Sequence, residues 1–128
     1  MSDAPSRLLL LFLDGVGLGE DDPGVNPFAR AELPTLGALL GGDEGMMIAA
    51  DARLGVPGLP QSGTGQTALL TGVNAAERMG RHFGPWVPTA LREMLAAQNL
   101  LSRAAAAGRR VAFANAYPEG FLSPGGRG

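Results

Sequence analysis

Residues 7–13 place six apolar side chains in a row after Arg7, from Leu8 to Leu13. An apolar run without polar alternation is the mark of a strand covered on both faces, the habit of parallel sheets. It ends in Asp14-Gly15-Val16-Gly17-Leu18-Gly19 and the polar stretch 20–24, so a loop rather than a helix follows. Residues 26–40 read as two short helices parted at Pro34, with Leu36, Leu39 and Leu40 in the second and Gly41-Gly42 closing it. The apolar run 46–50 predicts a second strand. Residues 55–65 hold Pro57, Pro60 and four glycines and read as a loop, and a helix opens at Thr64, runs to Leu70 and ends at Gly72. Residues 73–88, rich in Arg, Gly and Pro, read as irregular. The clearest helix covers 89–107, where Leu91, Met94, Leu95, Leu100 and Leu101 fall near a 3.6-residue period. This stripe is core, with Thr89 as the cap and Gly108 as the stop. Residues 111–116 predict a third strand.

The order strand, helix, strand, helix, strand predicts an α/β fold, a parallel, doubly wound sheet with flanking helices joined by right-handed crossovers. No linker or repeat divides residues 1–128, so a single domain is expected. The third strand has no helix after it to cover it, and the chain runs out in the Gly-rich 123–128. The expectation is therefore an incomplete, amino-terminal part of a larger domain.

Composition narrows the chemistry. The 128 residues are 45% hydrophobic and 17% charged, with a net charge of −2. Nucleic-acid binding and a polybasic membrane surface are unexpected, because both need clustered positive charge. All ten basic residues are Arg, so Schiff-base lysines and a Walker lysine are excluded. With no Cys there is neither a thiol nucleophile nor a disulfide, and with only His82 no His-rich metal site is completed. The six-residue apolar run is far short of the roughly 20 residues that span a bilayer, and a cytoplasmic protein is expected.

Two short segments carry chemistry. Asp14 stands at the carboxyl end of the first predicted strand, where open α/β sheets gather ligands, and its hard carboxylate suits a divalent cation. The competing reading is a turn-forming Asp before Gly. The second segment is Pro60-Gln61-Ser62-Gly63-Thr64-Gly65-Gln66-Thr67. Its glycines allow close backbone approach, and the helix beyond offers N–H groups to an anion. A capped helix start is the alternative. Arg78, Arg81 and His82 are candidates to meet a substrate phosphate, since guanidinium forks match phosphate oxygens; a solvated loop competes for each. Asn26 before Pro27 reads more simply as structural.

Three familiar motifs fail on their letters. Gly65-Gln66-Thr67 lacks the Walker lysine, Pro60 stands where a nucleophile elbow needs Gly, and glycines 15, 17 and 19 do not match the dinucleotide fingerprint. Leu11-Phe12-Leu13-Asp14-Gly15-Val16-Gly17, Asn26-Pro27 through Pro34 and Leu36, and Ser62-Gly63-Thr64-Gly65-Gln66-Thr67-Ala68 together resemble another pattern. It is the amino-terminal part of the alkaline-phosphatase-like metalloenzymes, in the branch of cofactor-independent phosphoglycerate mutase and phosphopentomutase. Gln66 stands where those mutases have His.

The resemblance implies two divalent metal ions, zinc or manganese, with Asp14 ligating one of them. It implies Ser62 as both a metal ligand and the nucleophile that carries a phosphoryl group, with Thr64 as the fallback hydroxyl. It also implies a phosphorylated small molecule as substrate; Arg81, read from its guanidinium chemistry, is the candidate to bind it. Such enzymes complete the metal site with Asp and His residues that this sequence does not contain after Ser62 in recognisable form, so weak metal binding and no activity of the chain alone are expected. The rival readings are a metal-independent phosphate- or nucleotide-binding module and a degenerate, non-catalytic fragment.

Overall fold

Pro27 and Pro34 each stand at the start of a helix, where a missing N–H costs nothing because it has no intrahelical partner. The structure, a computed structural model, describes residues 7–41 and 46–116. The chain divides into two units, Met1–Ala50 and Asp51–Gly128. The first contains α1 (Pro27–Arg30) and α2 (Pro34–Gly41), the two short helices expected on either side of a break at Pro34. The Asn26 side chain caps α1 by accepting from the Phe28 N–H at 3.0 Å, and its amide donates to the Glu20 carbonyl at 2.7 Å. This is the structural role for Asn26. Gly42 and the 123–128 tail lie outside the described residues.

The second unit holds α3 (Ser62–Thr71), α4 (Ala75–Met79), α5 (Thr89–Gln98) and α6 (Leu100–Ala106). α3 packs on α4 and α5, and α5 on α6. Ala75, Leu91 and Met94 form a small core with Ala68, Val73, Met79 and Val87 against it. α3 contributes a face of buried threonines. Thr67 and Thr71 donate to the carbonyls of Gly63 and Thr67, at 2.6 and 2.7 Å. A hydroxyl bonded to the preceding turn can be buried without leaving a polar atom unpaired. Gly72 and Gly80, both left-handed, terminate α3 and α4.

The expected parallel sheet is not formed: among the described residues every regular element is a helix, and none is a strand. Residues 7–13, 46–50 and 111–116 do not take strand form. Their apolar side chains are largely exposed, Leu8 at 87% and Ile48 at 73%. An apolar run records a preference for burial, whereas a strand is a hydrogen-bonded ladder between two segments, and composition does not name the second.

Helix boundaries also shift. α3 begins at Ser62, two residues before the expected start at Thr64, and α4 occupies part of the stretch read as irregular. The helix expected over 89–107 is two helices. Asn99, with φ −65° and ψ 150°, leaves the helical region between them. Its amide donates to the Leu95 carbonyl and its side-chain oxygen accepts from the Ser102 N–H, each at 2.8 Å, so one residue closes α5 and caps α6. Thr89 is the first residue of α5 and Pro88 its cap. Gly108 (φ +74°) follows the end of α6, as expected of a stop. No helix among the described residues is long and apolar enough to cross a membrane.

Candidate functional site

The start of α3 is held by the loop 83–86. The Thr64 N–H donates to the Phe83 carbonyl at 2.9 Å, and the Phe83 N–H returns a bond to the Thr64 hydroxyl at 3.1 Å. Thr64 is fully buried, and its hydroxyl also lies 3.3 Å from the Gln61 carbonyl. It is thereby a structural residue, and the fallback role as nucleophile has no access to solvent. A Cβ on Gly63 would lie 2.3 Å from the Trp86 carbonyl oxygen and 2.6 Å from that of Phe83. A Cβ on Gly84 would lie 3.0 Å from the Gln61 Cβ and 3.1 Å from the Ser62 nitrogen. The close approach that these glycines permit is made by the chain's own loop.

Ser62 is the first residue of α3 and half-buried, with Gln61 as the cap residue. Beside it lies a solvent-open groove of about 600 Å³ between segments 57–61 and 81–84. Gln61 and Gly84, the two residues that flank the Ser62 backbone, both line it. Arg81 lines it too, exposed, with its guanidinium over the Phe83 ring at 5.2 Å from the centroid. His82 faces the groove and its Nε2 lies 3.1 Å from the Val56 carbonyl. Asn74, which caps α4, donates to the Leu54 carbonyl at 2.8 Å. Segment 54–58 is thus tied to the helices from two sides. Arg78 is exposed in the last turn of α4 and does not line the groove.

Arg81 therefore lines the groove, whereas Ser62 does not line it and stands next to it in the chain, after the lining residue Gln61. Asp14 belongs to the first unit, in the turn after residues 7–13. Among the described residues no group of three or more His, Cys, Asp or Glu comes together. A catalytic zinc centre takes three protein ligands and a water, so the described residues alone do not complete the two-metal centre that the resemblance implies. The second unit contributes the Arg81 guanidinium at the groove and Ser62 at the start of α3, and Asp14 stands in the first unit.

The contribution of Gln61, Phe83 and Gly84 was not read from the sequence. Gly84-Pro85 beside an aromatic residue marks a turn, but nothing local says that this turn meets residues 61–64 twenty positions away. No protein-family model, curated protein or solved structure matches the chain.

Proposed function

We propose that the chain provides part of the phosphoryl-transfer site of a cytoplasmic enzyme of phosphatase or phosphomutase type, with Ser62 as the hydroxyl that accepts the phosphoryl group of a small-molecule ester. One observation carries this reading: Ser62 sits at a helix start whose backbone is fixed by the Gly63 and Thr64 contacts, next in the chain to Gln61, which lines the groove that holds Arg81. Fixing the backbone reduces the orientational freedom the nucleophile loses on the way to in-line attack. A guanidinium matches the charge that spreads over the phosphoryl oxygens. In the exchange the bond from Ser62 Oγ to phosphorus forms as the ester P–O bond breaks. The hydroxyl proton leaves to water and the departing alkoxide takes one up.

The test is the release of p-nitrophenolate when the chain meets p-nitrophenyl phosphate with added Zn²⁺ or Mn²⁺. Because the chain alone is expected to lack turnover, the predicted result is at most one stoichiometric release that Ser62→Ala abolishes; sustained turnover contradicts the expected incompleteness, and an equal release in that variant refutes the assignment. A second reading, a metal-independent phosphate-binding module, is favoured by the lack of a three-donor group among the described residues. Calorimetric titration with inorganic phosphate separates the two. Binding that is equal with and without metal, and with no burst, supports the module.

A further inference from the structure

The groove next to Ser62 is not uniformly polar. Pro57 and Leu59 line one side, and Leu59 leaves 80% of its surface uncovered. Phe83 lines the other, and Arg81 lies over its ring. Only Gln61, Arg81 and His82 bring polar side chains, and the His82 ring is already engaged with the Val56 carbonyl. A hydroxyl-rich ester seated here would lose water against Pro57 and Leu59 without gaining partners. An apolar group would instead cover Leu59. The anionic end needs the guanidinium, which the Phe83 ring holds at the groove.

We infer that the groove formed by residues 57–61 and 81–84 selects phosphate monoesters with an apolar, ring-bearing alcohol over those of compact polyols, with Leu59 covering the ring and Arg81 meeting the phosphate. This rests on the reading of Ser62 as the phosphoryl acceptor for its placement of the phosphate, but it is tested separately. The full chain, labelled for amide NMR, is titrated with phenyl phosphate, glycerol 3-phosphate and inorganic phosphate. Phenyl phosphate is expected to bind about tenfold tighter than glycerol 3-phosphate, with shifts in 57–61 and 81–84. Leu59→Ser, at an exposed position, is expected to erase that preference while keeping phosphate affinity, and Arg81→Ala to weaken all three ligands. Equal affinities for the two esters, or a preference that survives Leu59→Ser, overturns the inference and leaves the Ser62 assignment standing. Groove selectivity together with a p-nitrophenolate burst that persists in Ser62→Ala supports the inference and refutes that assignment.

Discussion

Gly63→Ala is the most revealing single change, because it adds one methyl group where two carbonyl oxygens already stand. The new Cβ would lie 2.3 Å from the Trp86 oxygen and 2.6 Å from the Phe83 oxygen. Both obstacles are backbone, so no side-chain rotation relieves them. Reaching ordinary contact distance means a retreat of roughly 1 Å between the helix start and the loop. The same retreat stretches the Thr64 N–H to Phe83 carbonyl bond from 2.9 Å and its reciprocal from 3.1 Å beyond useful length. Overpacking of this kind costs about 1–3 kcal/mol, and each weakened bond about 0.5–1.5 kcal/mol. Alanine returns at most about 1 kcal/mol in helix propensity. The expected net loss is about 1–5 kcal/mol, read from urea unfolding followed by circular dichroism. Gly65→Ala is the internal control: nothing lies within 4 Å of its added Cβ, and a gain of about 0.5–1 kcal/mol is expected. A Gly63→Ala midpoint at or above wild type would refute the clasp between α3 and residues 83–86.

Further outcomes follow from the same contacts. Thr64→Val removes the acceptor for the Phe83 N–H and should cost about 1–3 kcal/mol in thermal unfolding, whereas Thr64→Ser should recover most of it; equal melting of the two variants contradicts the bond. Leu91→Ala empties the only large, fully buried apolar position among the described residues and should cost about 2–5 kcal/mol; a loss under 1 kcal/mol would mean that α5 does not pack as described. The Arg53 backbone N–H, donating at 3.0 Å, is the largest cause that holds the exposed Asp51 carboxylate below its ordinary 3.8. A depressed carboxylate stabilises its turn above the ordinary value and loses that contribution as pH falls through the lowered one. The Arg53 amide resonance should therefore titrate with a midpoint below 3.8, and a midpoint above it refutes the bond.

What the sequence made legible is what short-range chemistry decides. Pro34 marks the break between two short helices, Gly72 and Gly108 mark two ends, and Leu91 and Met94 the inward face of α5, whereas Leu100 of the same expected stripe is 38% exposed. Leu100 and Leu101 continue the apolar rhythm and mask Asn99, although a capping side chain in mid-pattern is a reason to divide a helix. The threonines at 64, 67 and 71 escaped notice as a core face because their hydroxyls look polar; bonded to the preceding backbone, they bury as readily as small apolar residues. The sheet is where composition and structure part furthest. Leu8 to Leu13 supply a strand's composition, and pairing is a long-range property that seven residues cannot carry. For the site, Ser62 and Arg81 are legible as candidates, but the groove that Arg81 lines depends on residues 83–86 folding back onto 61–64. No spacing rule relates those two segments.

Ser62, and not the buried Thr64 two residues on, is the proposed acceptor of the phosphoryl group. Acid quenching after brief exposure to p-nitrophenyl phosphate, followed by peptide mass spectrometry, reads the acceptor directly. The account requires the adduct on Ser62 and its loss in Ser62→Ala. An adduct on Thr64, or the same labelling in the variant, contradicts it.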